Sequence, residues 1–257
     1  MPERDLALLI EAARAAGQIA MSFWKNTPQV WTKPDASPVT EADLAVNHML
    51  QVRLGSARPH YGWLSEETPD DAARLSSEHI FIIDPIDGTR AFIAGEKHFS
   101  HSLAVARNGE ITAAVVYVPA LNQMYTATID GPALLNNIPI KASTKALFDQ
   151  PNILMSKATL GTDHWIGPPP NLRRSFRASV AYRLALVADG SFDAMLSFRK
   201  SWEWDIAAGS LIAQRAGAKL CDVRGDVLRF NTASAQSNGI YAGSVALFGE
   251  LQPLFNA

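Results

Sequence analysis

The stretch Ile82-Ile83-Asp84-Pro85-Ile86-Asp87-Gly88-Thr89 decides how this chain is read. Phe81, Ile82 and Ile83 form the kind of apolar run that a buried strand supplies. Pro85 has no N–H to give to a ladder, so regular pairing is expected to end there and the chain to turn. The turn matters because residues three apart in an unbroken strand point to opposite faces, whereas around a turn Asp84 and Asp87 can converge. Gly88 allows backbone angles that other residues avoid, and Thr89 is expected to be the N-cap of a helix running through Arg90 and Phe92. The product would be two carboxylates beside free backbone N–H groups. Carboxylates suit hard cations such as Mg2+, and helix-start amides suit phosphate. An acidic turn that only caps a helix would carry the same letters, so the rest of the chain has to decide.

With 257 residues and apolar side chains spread along its whole length, the chain fits one large unit or two closely joined lobes. Lys plus Arg number 23 and Asp plus Glu 25, for a net charge of -2, and the basic residues never form a long run. There is thus no electrostatic case for a nucleic-acid or membrane partner, and a small-molecule ligand is expected. Cys221 is the only cysteine, which rules out an intramolecular disulfide and a thiolate metal site; a small buried side chain is its expected role. Apolar residues recur at helical spacing from about Asp5 to Trp24, interrupted by Glu11 and Arg14, which reads as an amphipathic helix rather than a targeting segment. No apolar run approaches the roughly 18 residues that span a bilayer. A soluble, cytoplasmic protein is expected.

After that helix, Pro28, Pro34 and Pro38 mark a loop, and helical periodicity restarts in SPVTEADLAVNHMLQVRL with Ser37 or Thr40 near the cap and Asp43 in the first turns. HYGWLSEET reads as a short strand ending in a turn, and HIFIID as a second strand. From Ser102 onward, SLAVAR, the Asn108-Gly109 turn signal, ITAAVVYVP and QMYTATI predict an antiparallel meander, followed by turns at Gly131-Pro132 and Asn136-Asn137. The later part alternates: a strand over 152–155, a helix over 180–187, a strand over 194–198, a helix over 205–216, and strands near 219–221 and 239–242. Sheets sandwiched with helices, an α+β layered fold, follow from this order. The boundary between lobes of about 1–145 and 146–257 is placed near Ala142 to Gln150. GPPP at Gly167 to Pro170 marks an exposed loop.

Two more acidic places change the reading of Asp84 and Asp87. Glu66 and Glu67 end the WLSEE segment, and Asp205 opens an Ala-rich helix in WEWDIAAG. Taken singly, paired glutamates are ordinarily solvated and an aspartate at a helix start is ordinarily a dipole partner. Jointly, Glu66, Asp84, Asp87 and Asp205 each follow a short apolar segment and lie where strand or loop meets turn, which is where layered α/β folds bind ligands. Four carboxylates within about 4 Å of one another would repel by on the order of 4 kcal/mol per pair at an effective dielectric near 20. Without a cation they would take up protons. An all-oxygen set suits Mg2+ or Mn2+ over Zn2+.

In this order, SEE (65–67), DPIDGT (84–89) and WDIAAG (204–209) resemble the inositol monophosphatase superfamily of Mg2+-dependent, commonly lithium-sensitive phosphomonoesterases. That superfamily also includes 3'(2'),5'-bisphosphate nucleotidases and fructose bisphosphatases. The likeness runs from Ser37 to about Gly225. It implies a layered α-β-α-β-α sandwich and two or three Mg2+ ions. By resemblance, Glu66, Asp84 and the Ile86 carbonyl hold one ion, and Asp84, Asp87 and Asp205 a second. Asp43 pairs with Thr89, and these two orient the attacking water. Gly88 and Thr89 N–H groups hold phosphate oxygens, and Asp87 and Asp205 also border the substrate. Family members include monomers and dimers, so a homodimer is compatible.

The ester itself is read from weaker signals. Inositol-specific relatives resemble one another in a glutamate seven residues before the WD aspartate, where this chain has Phe198; Glu203 is the other acid that could reach ring hydroxyls. The bisphosphate nucleotidase (CysQ-like) branch is similar in an aromatic at that position, a basic residue at Arg183 and the sequence following DGT. Phe198 could stack on a base and Arg183 bind a second phosphate. Equally, Phe198 could be core and Arg183 solvated, and RASVA at 177–181 fits neither branch's usual pattern. Trp202 and Trp204 could line either pocket or pack on the following helix. A 3'(2'),5'-bisphosphate nucleotide is the expected substrate, with inositol 1-phosphate or another sugar phosphate as the alternative, and a catalytically silent regulatory protein of the same fold as a third reading.

Overall fold

The computed structural model describes residues 2–256. Its helices are α1 (Pro2–Phe23), α2 (Glu41–Ala57), α3 (Thr89–Ile93), α4 (Val180–Ala188), α5 (Glu203–Arg215) and α6 (Val245–Leu251). The strands begin with a small hairpin, β1 (Val30–Thr32) and β2 (Pro38–Thr40), where the prolines had suggested only a loop. A seven-stranded sheet follows in chain order: β3 (Gly62–Ser65), β4 (His79–Asp87), β5 (Ser100–Arg107), β6 (Glu110–Val118), β7 (Gln123–Thr128), β8 (Leu134–Leu135) and β9 (Ile138–Pro139). Only β3 and β4 are parallel; the rest is the expected meander. Asn108 and Gly109 both take positive φ, as a type I′ hairpin turn requires.

A second, mixed sheet of five strands contains β10 (Asn152–Leu154), β11 (Arg173–Ser175), β12 (Ala194–Ser197), β14 (Lys219–Cys221) and β16 (Ile240–Gly243), while β13 (Ser201–Trp202) pairs with β15 (Gln236–Ser237) apart from it. Period-two alternation sorts the first sheet's side chains. Ile80, Ile82, Ala104 and Val116 face α4 and α5, while Phe81, Ile83, Leu103 and Val115 face α1 and α2. On the far side of α4 and α5 lies the second sheet, whose outer face, with Ile153, Leu196 and Tyr241, packs on α6. The layers run α-β-α-β-α.

α1 is the one helix among the described residues long and apolar enough to cross a membrane by length and composition. Its face of Leu9, Ala12, Ala13, Ala16 and Ala20 is instead buried in the core beside the first sheet. Gly17 permits that approach, since a Cβ there would lie 2.5 Å from a Tyr117 ring carbon. Thr40, not Ser37, caps α2, through a reciprocal capping box with Asp43.

Candidate active site

β4 does not end at Pro85 as expected. Its pairing to β5 breaks after Asp84↔Ser102 and resumes at Asp87↔Ser100, three steps on one strand against two on the other. A bulge with one extra residue sits at the proline, whose missing N–H leaves no ladder bond to lose. The extra residue brings Asp84 and Asp87 to the same side without a full turn. Buried His101 on β5 fixes the bulge, its Nδ1 hydrogen-bonded to the Pro85 carbonyl. Nothing in the sequence marked His101 for this task. Burial pushes its imidazole down to about 4, so the ring is neutral and Nδ1–H donates.

Gly88, at φ 95°, is the N-cap of α3, and Thr89, expected as the cap, is instead its first helical residue, so the helix starts one position earlier than expected. A Cβ at Gly88 would also meet the His98 carbonyl at 3.2 Å. The turn turns the Thr89 hydroxyl inward, where it lies 3.2 Å from Asp43 Oδ1 and 3.1 Å from the Ile86 carbonyl. One proton is shared between two acceptors, and the Ile86 carbonyl thereby faces the site. Asp43 Oδ2 is held by the Thr40 N–H (2.8 Å) and hydroxyl (2.5 Å). Burial raises the Asp43 carboxyl to about 6 against those bonds.

Asp205, in the first turn of α5, completes the cluster: Asp84, Asp87 and Asp205 each offer an oxygen within 4.8 Å of the others. Burial, reinforced by Glu66 and the other two aspartates, holds Asp84 well above the usual carboxylate range, and burial with Asp87 does the same for Asp205. Burial raises Asp87 to about 6 although Ser179 and backbone amides stabilise its anion. The Ser179 hydroxyl and the Ala181 N–H both reach Asp87 Oδ2 at 2.6 Å, so RASVA presents the start of α4 to this carboxylate. Ser179 was missed because its neighbours were read for a substrate pocket. Asp84 Oδ1 is buried with no hydrogen-bond partner among the described residues. An orphaned carboxylate oxygen inside an all-oxygen triad fits a hard cation.

Glu66 stands beside the triad but has its own cation. Lys33, from the turn of the β1–β2 hairpin, places Nζ 2.8 Å from Glu66 Oε1 and 2.7 Å from Glu67 Oε1. Burial pulls the Lys33 ammonium down, but the two glutamates outweigh it and raise the group above its usual value. Burial pushes Glu67 up to about 7 against Lys33. Asn47 on α2 anchors the segment, accepting from Ser65 (2.7 Å) and donating to Thr68 (3.0 Å). A lysine beside prolines gave no signal of this role.

The side chains expected to choose the ester are engaged elsewhere. Arg183 donates Nε to the Arg177 carbonyl (2.6 Å) and Nη2 to that of Ala178 (3.1 Å), and lies over the Phe176 ring. It is buried, not solvated, and it braces the segment leading into α4. Phe198 stacks on His164 at 4.7 Å and meets Trp165 and Phe255 edge-on. Glu203 does not supply a ring-hydroxyl acceptor, because its carboxylate takes the N–H groups of Asn231 (2.6 Å) and Thr232 (2.9 Å) and the Thr232 hydroxyl (2.6 Å). Trp202 and Trp204 stack on one another at 4.6 Å beside Asp205. Cys221 is buried, and burial pushes its thiol up to about 11.

Known proteins are similar to this chain in sequence and in fold. The inositol monophosphatase family profile matches residues 1–254. An inositol-1-monophosphatase of Rhizobium meliloti is 34% identical over 86% of each chain, and the Nus factor SuhB of Xylella fastidiosa is 31% identical over 98% of this chain and 94% of its own. The solved IMPase of Thermotoga maritima superposes with a TM-score of 0.83 at 28% identity, covering 98% of this chain and 96% of that one. None of these places the chain on the bisphosphate nucleotidase branch. Acid triad, bulged strand, layered fold and family profile agree: the chain belongs to the inositol monophosphatase family and is a metal-dependent phosphatase.

Proposed function

We propose that the protein hydrolyses the phosphomonoester of a small polyol, of the inositol 1-phosphate class, using Mg2+, with Mn2+ as a substitute. The observation that carries the chemistry is the triad of buried Asp84 and Asp87 with partly buried Asp205, and its orphaned Asp84 oxygen. Asp84, Asp87 and Asp205 would hold one ion, and Glu66, Asp84 and the Ile86 carbonyl another. Bound there, the ions would supply an activated water, neutralised phosphate and a stabilised leaving oxygen.

This chain's residues do the positioning. The Thr89 hydroxyl, tied to Asp43, accepts a hydrogen bond from the attacking water and fixes its direction. Amides at the start of α3, next to Gly88, are oriented toward phosphate oxygens as charge redistributes. Asp43, raised to about 6, is suited to take up a proton near neutrality.

The polyol reading is favoured over the 3'(2'),5'-bisphosphate nucleotide because the two side chains that suggested a nucleotide, Phe198 and Arg183, are committed to an aromatic cluster and to backbone carbonyls. Relatives named inositol-1-monophosphatase lend support. Phosphate release from inositol 1-phosphate and from 3'-phosphoadenosine 5'-phosphate, measured side by side with Mg2+, is the test. A higher kcat/KM on the inositol ester is expected; preference for the nucleotide would reverse the ranking, and no release from either would favour a silent regulatory protein.

A further inference from the structure

The Asp87 carboxylate is held directly, by the Ser179 hydroxyl and the Ala181 N–H. That of Asp205 takes no hydrogen bond from a hydroxyl or backbone N–H among the described residues, so its place is set by the backbone that carries it. Two ties hold this first turn of α5. Trp204 offers its carbonyl to the Ser102 hydroxyl at 2.8 Å, and Ser102 is the β5 residue paired with Asp84. Glu203 makes the second tie: its N–H donates to the Ala235 carbonyl at 2.9 Å, and its buried carboxylate accepts from the Asn231 N–H, the Thr232 N–H and the Thr232 hydroxyl. Arg74 grips the same segment from the short helical turn Ala72–Ser76 between β3 and β4. Its buried guanidinium donates to Asn231 Oδ1 at 2.7 Å and to the Thr232 carbonyl at 3.0 Å, while Asp70 accepts from it at 2.6 and 2.9 Å. The Asn231 amide returns a bond to the Arg74 carbonyl at 3.0 Å.

We propose that Glu203 and Arg74 are positioning residues for the metal site. They form a relay, from Arg74 through Asn231 and Thr232 to Glu203, that locks the start of α5 and keeps the Asp205 oxygen within 4.8 Å of those of Asp84 and Asp87. The proposal rests on the reading of Asp205 as a metal ligand. Like charges in the triad repel one another, which pushes the start of α5 away from β4, and the relay opposes that drift. Opposition matters because a ligand set works only when held within about 0.5 Å of its productive geometry. Arginine suits the far end of the relay, since its planar fork engages Asp70, Asn231 and Thr232 at once and an ammonium on a flexible stem does not. Glu203 suits the near end, because both of its oxygens are met by groups of one short segment.

The test is Mg2+ binding to the full-length, metal-free protein, read by calorimetry and by competition with luminescent Tb3+. Glu203→Gln should weaken Mg2+ about tenfold, the low end of what losing an outer-shell partner costs. Arg74→Lys, farther along the relay, should weaken it less. Thr232→Ser keeps the hydroxyl and should bind as the wild type does, whereas Thr232→Val should not. In an Asp205→Asn background Glu203→Gln should have no further effect, because it acts through that carboxylate; a general loss of structure would lower both backgrounds alike. If Glu203→Gln fails to fold, Thr232→Val, which removes one bond from a half-buried side chain, carries the test with Thr232→Ser as its control. Mg2+ affinity unchanged in Glu203→Gln and Thr232→Val while Asp205→Asn weakens it would overturn the proposal and leave the metal reading standing. An equal loss in both backgrounds would also overturn it. Asp205→Asn binding as tightly as the wild type would overturn the metal reading and the proposal together.

Discussion

Two groups of acids lie side by side and are treated differently. Glu66 and Glu67 share the ammonium of Lys33, which the β1–β2 hairpin delivers to within 2.8 Å and 2.7 Å. Asp84, Asp87 and Asp205 have no such side-chain cation within reach among the described salt bridges, and one Asp84 oxygen has no hydrogen-bond partner among the described residues. Arg183 is close enough to be felt by Asp87 and Asp205, yet its hydrogen bonds go to backbone carbonyls. One cluster is partly neutralised from within the chain, by one ammonium against two carboxylates; the other requires protons or an external ion. Burying like charges without compensation is a stability cost that a purely structural motif has no reason to bear.

Removing a member of the uncompensated cluster should have the largest effect. Asp87→Asn should lower Mg2+-dependent phosphate release by more than the 10–100-fold typical of losing an outer-shell partner, while the metal-free melting temperature stays level or rises as repulsion is relieved. Full activity in that variant would break the contrast between the clusters. Ser179→Ala, which withdraws a 2.6 Å bond from Asp87, should reduce Mg2+ affinity by roughly 10–100-fold with the fold retained. Titrating Mg2+ against a luminescent Tb3+ competitor measures it.

The pH dependence of metal-free stability sharpens the same comparison. The Asp87 carboxyl is raised from its ordinary value near 3.8 to about 6, so the folded state holds this proton more tightly than the unfolded chain. Its contribution is fully present below about pH 4 and is lost as pH rises through about 6. Urea midpoints from pH 4 to 8, wild type against Asp87→Asn, should diverge in favour of the variant as pH rises, and saturating Mg2+ should restore the wild type. His101 works in the opposite sense. Its pKa falls from 6.5 to about 4, so its contribution is complete above about pH 6.5 and is lost as pH drops through about 4. His101→Gln should flatten that acid-side loss. The smallest effect is expected at Lys33: Lys33→Gln should cost about 1 kcal/mol in metal-free protein, because the pair is partly exposed, and should raise Mg2+ affinity by freeing Glu66. An unchanged Mg2+ affinity would mean that Lys33 and the ion do not compete.

How much of this was legible in the sequence follows from what each signal depends on. Period-two and period-3.6 patterns, with turn signals at Asn108-Gly109 and Asn136-Asn137, predicted the meander and most helix and strand positions, because those features are local. The bulge was less visible. Pro85 announces a break in pairing, but whether the strand turns away or slips by one residue depends on β5 and on His101, which sits 16 positions downstream. The acids of the candidate site stood out by type and by family motif. Their partners did not: Lys33 reaches Glu66 across 33 residues, and Ser179 reaches Asp87 across 92. Phe198 and Arg183 show the converse. Their residue types suit a nucleotide, but type alone does not reveal that His164, Trp165 and Phe255 surround the one and that the carbonyls of Arg177 and Ala178 hold the other.

The central claim is that the triad of Asp84, Asp87 and Asp205 is a cation site kept partly protonated until the ion arrives. Calorimetric titration of Mg2+ into the metal-free protein near pH 6, repeated in buffers of different ionisation enthalpy, counts the protons released on binding. Saturable binding with net proton release, shrinking as pH rises toward 8 and lost in Asp87→Asn, is the predicted result. Mg2+ binding with no proton release at any pH, or binding unchanged in Asp87→Asn, would contradict it.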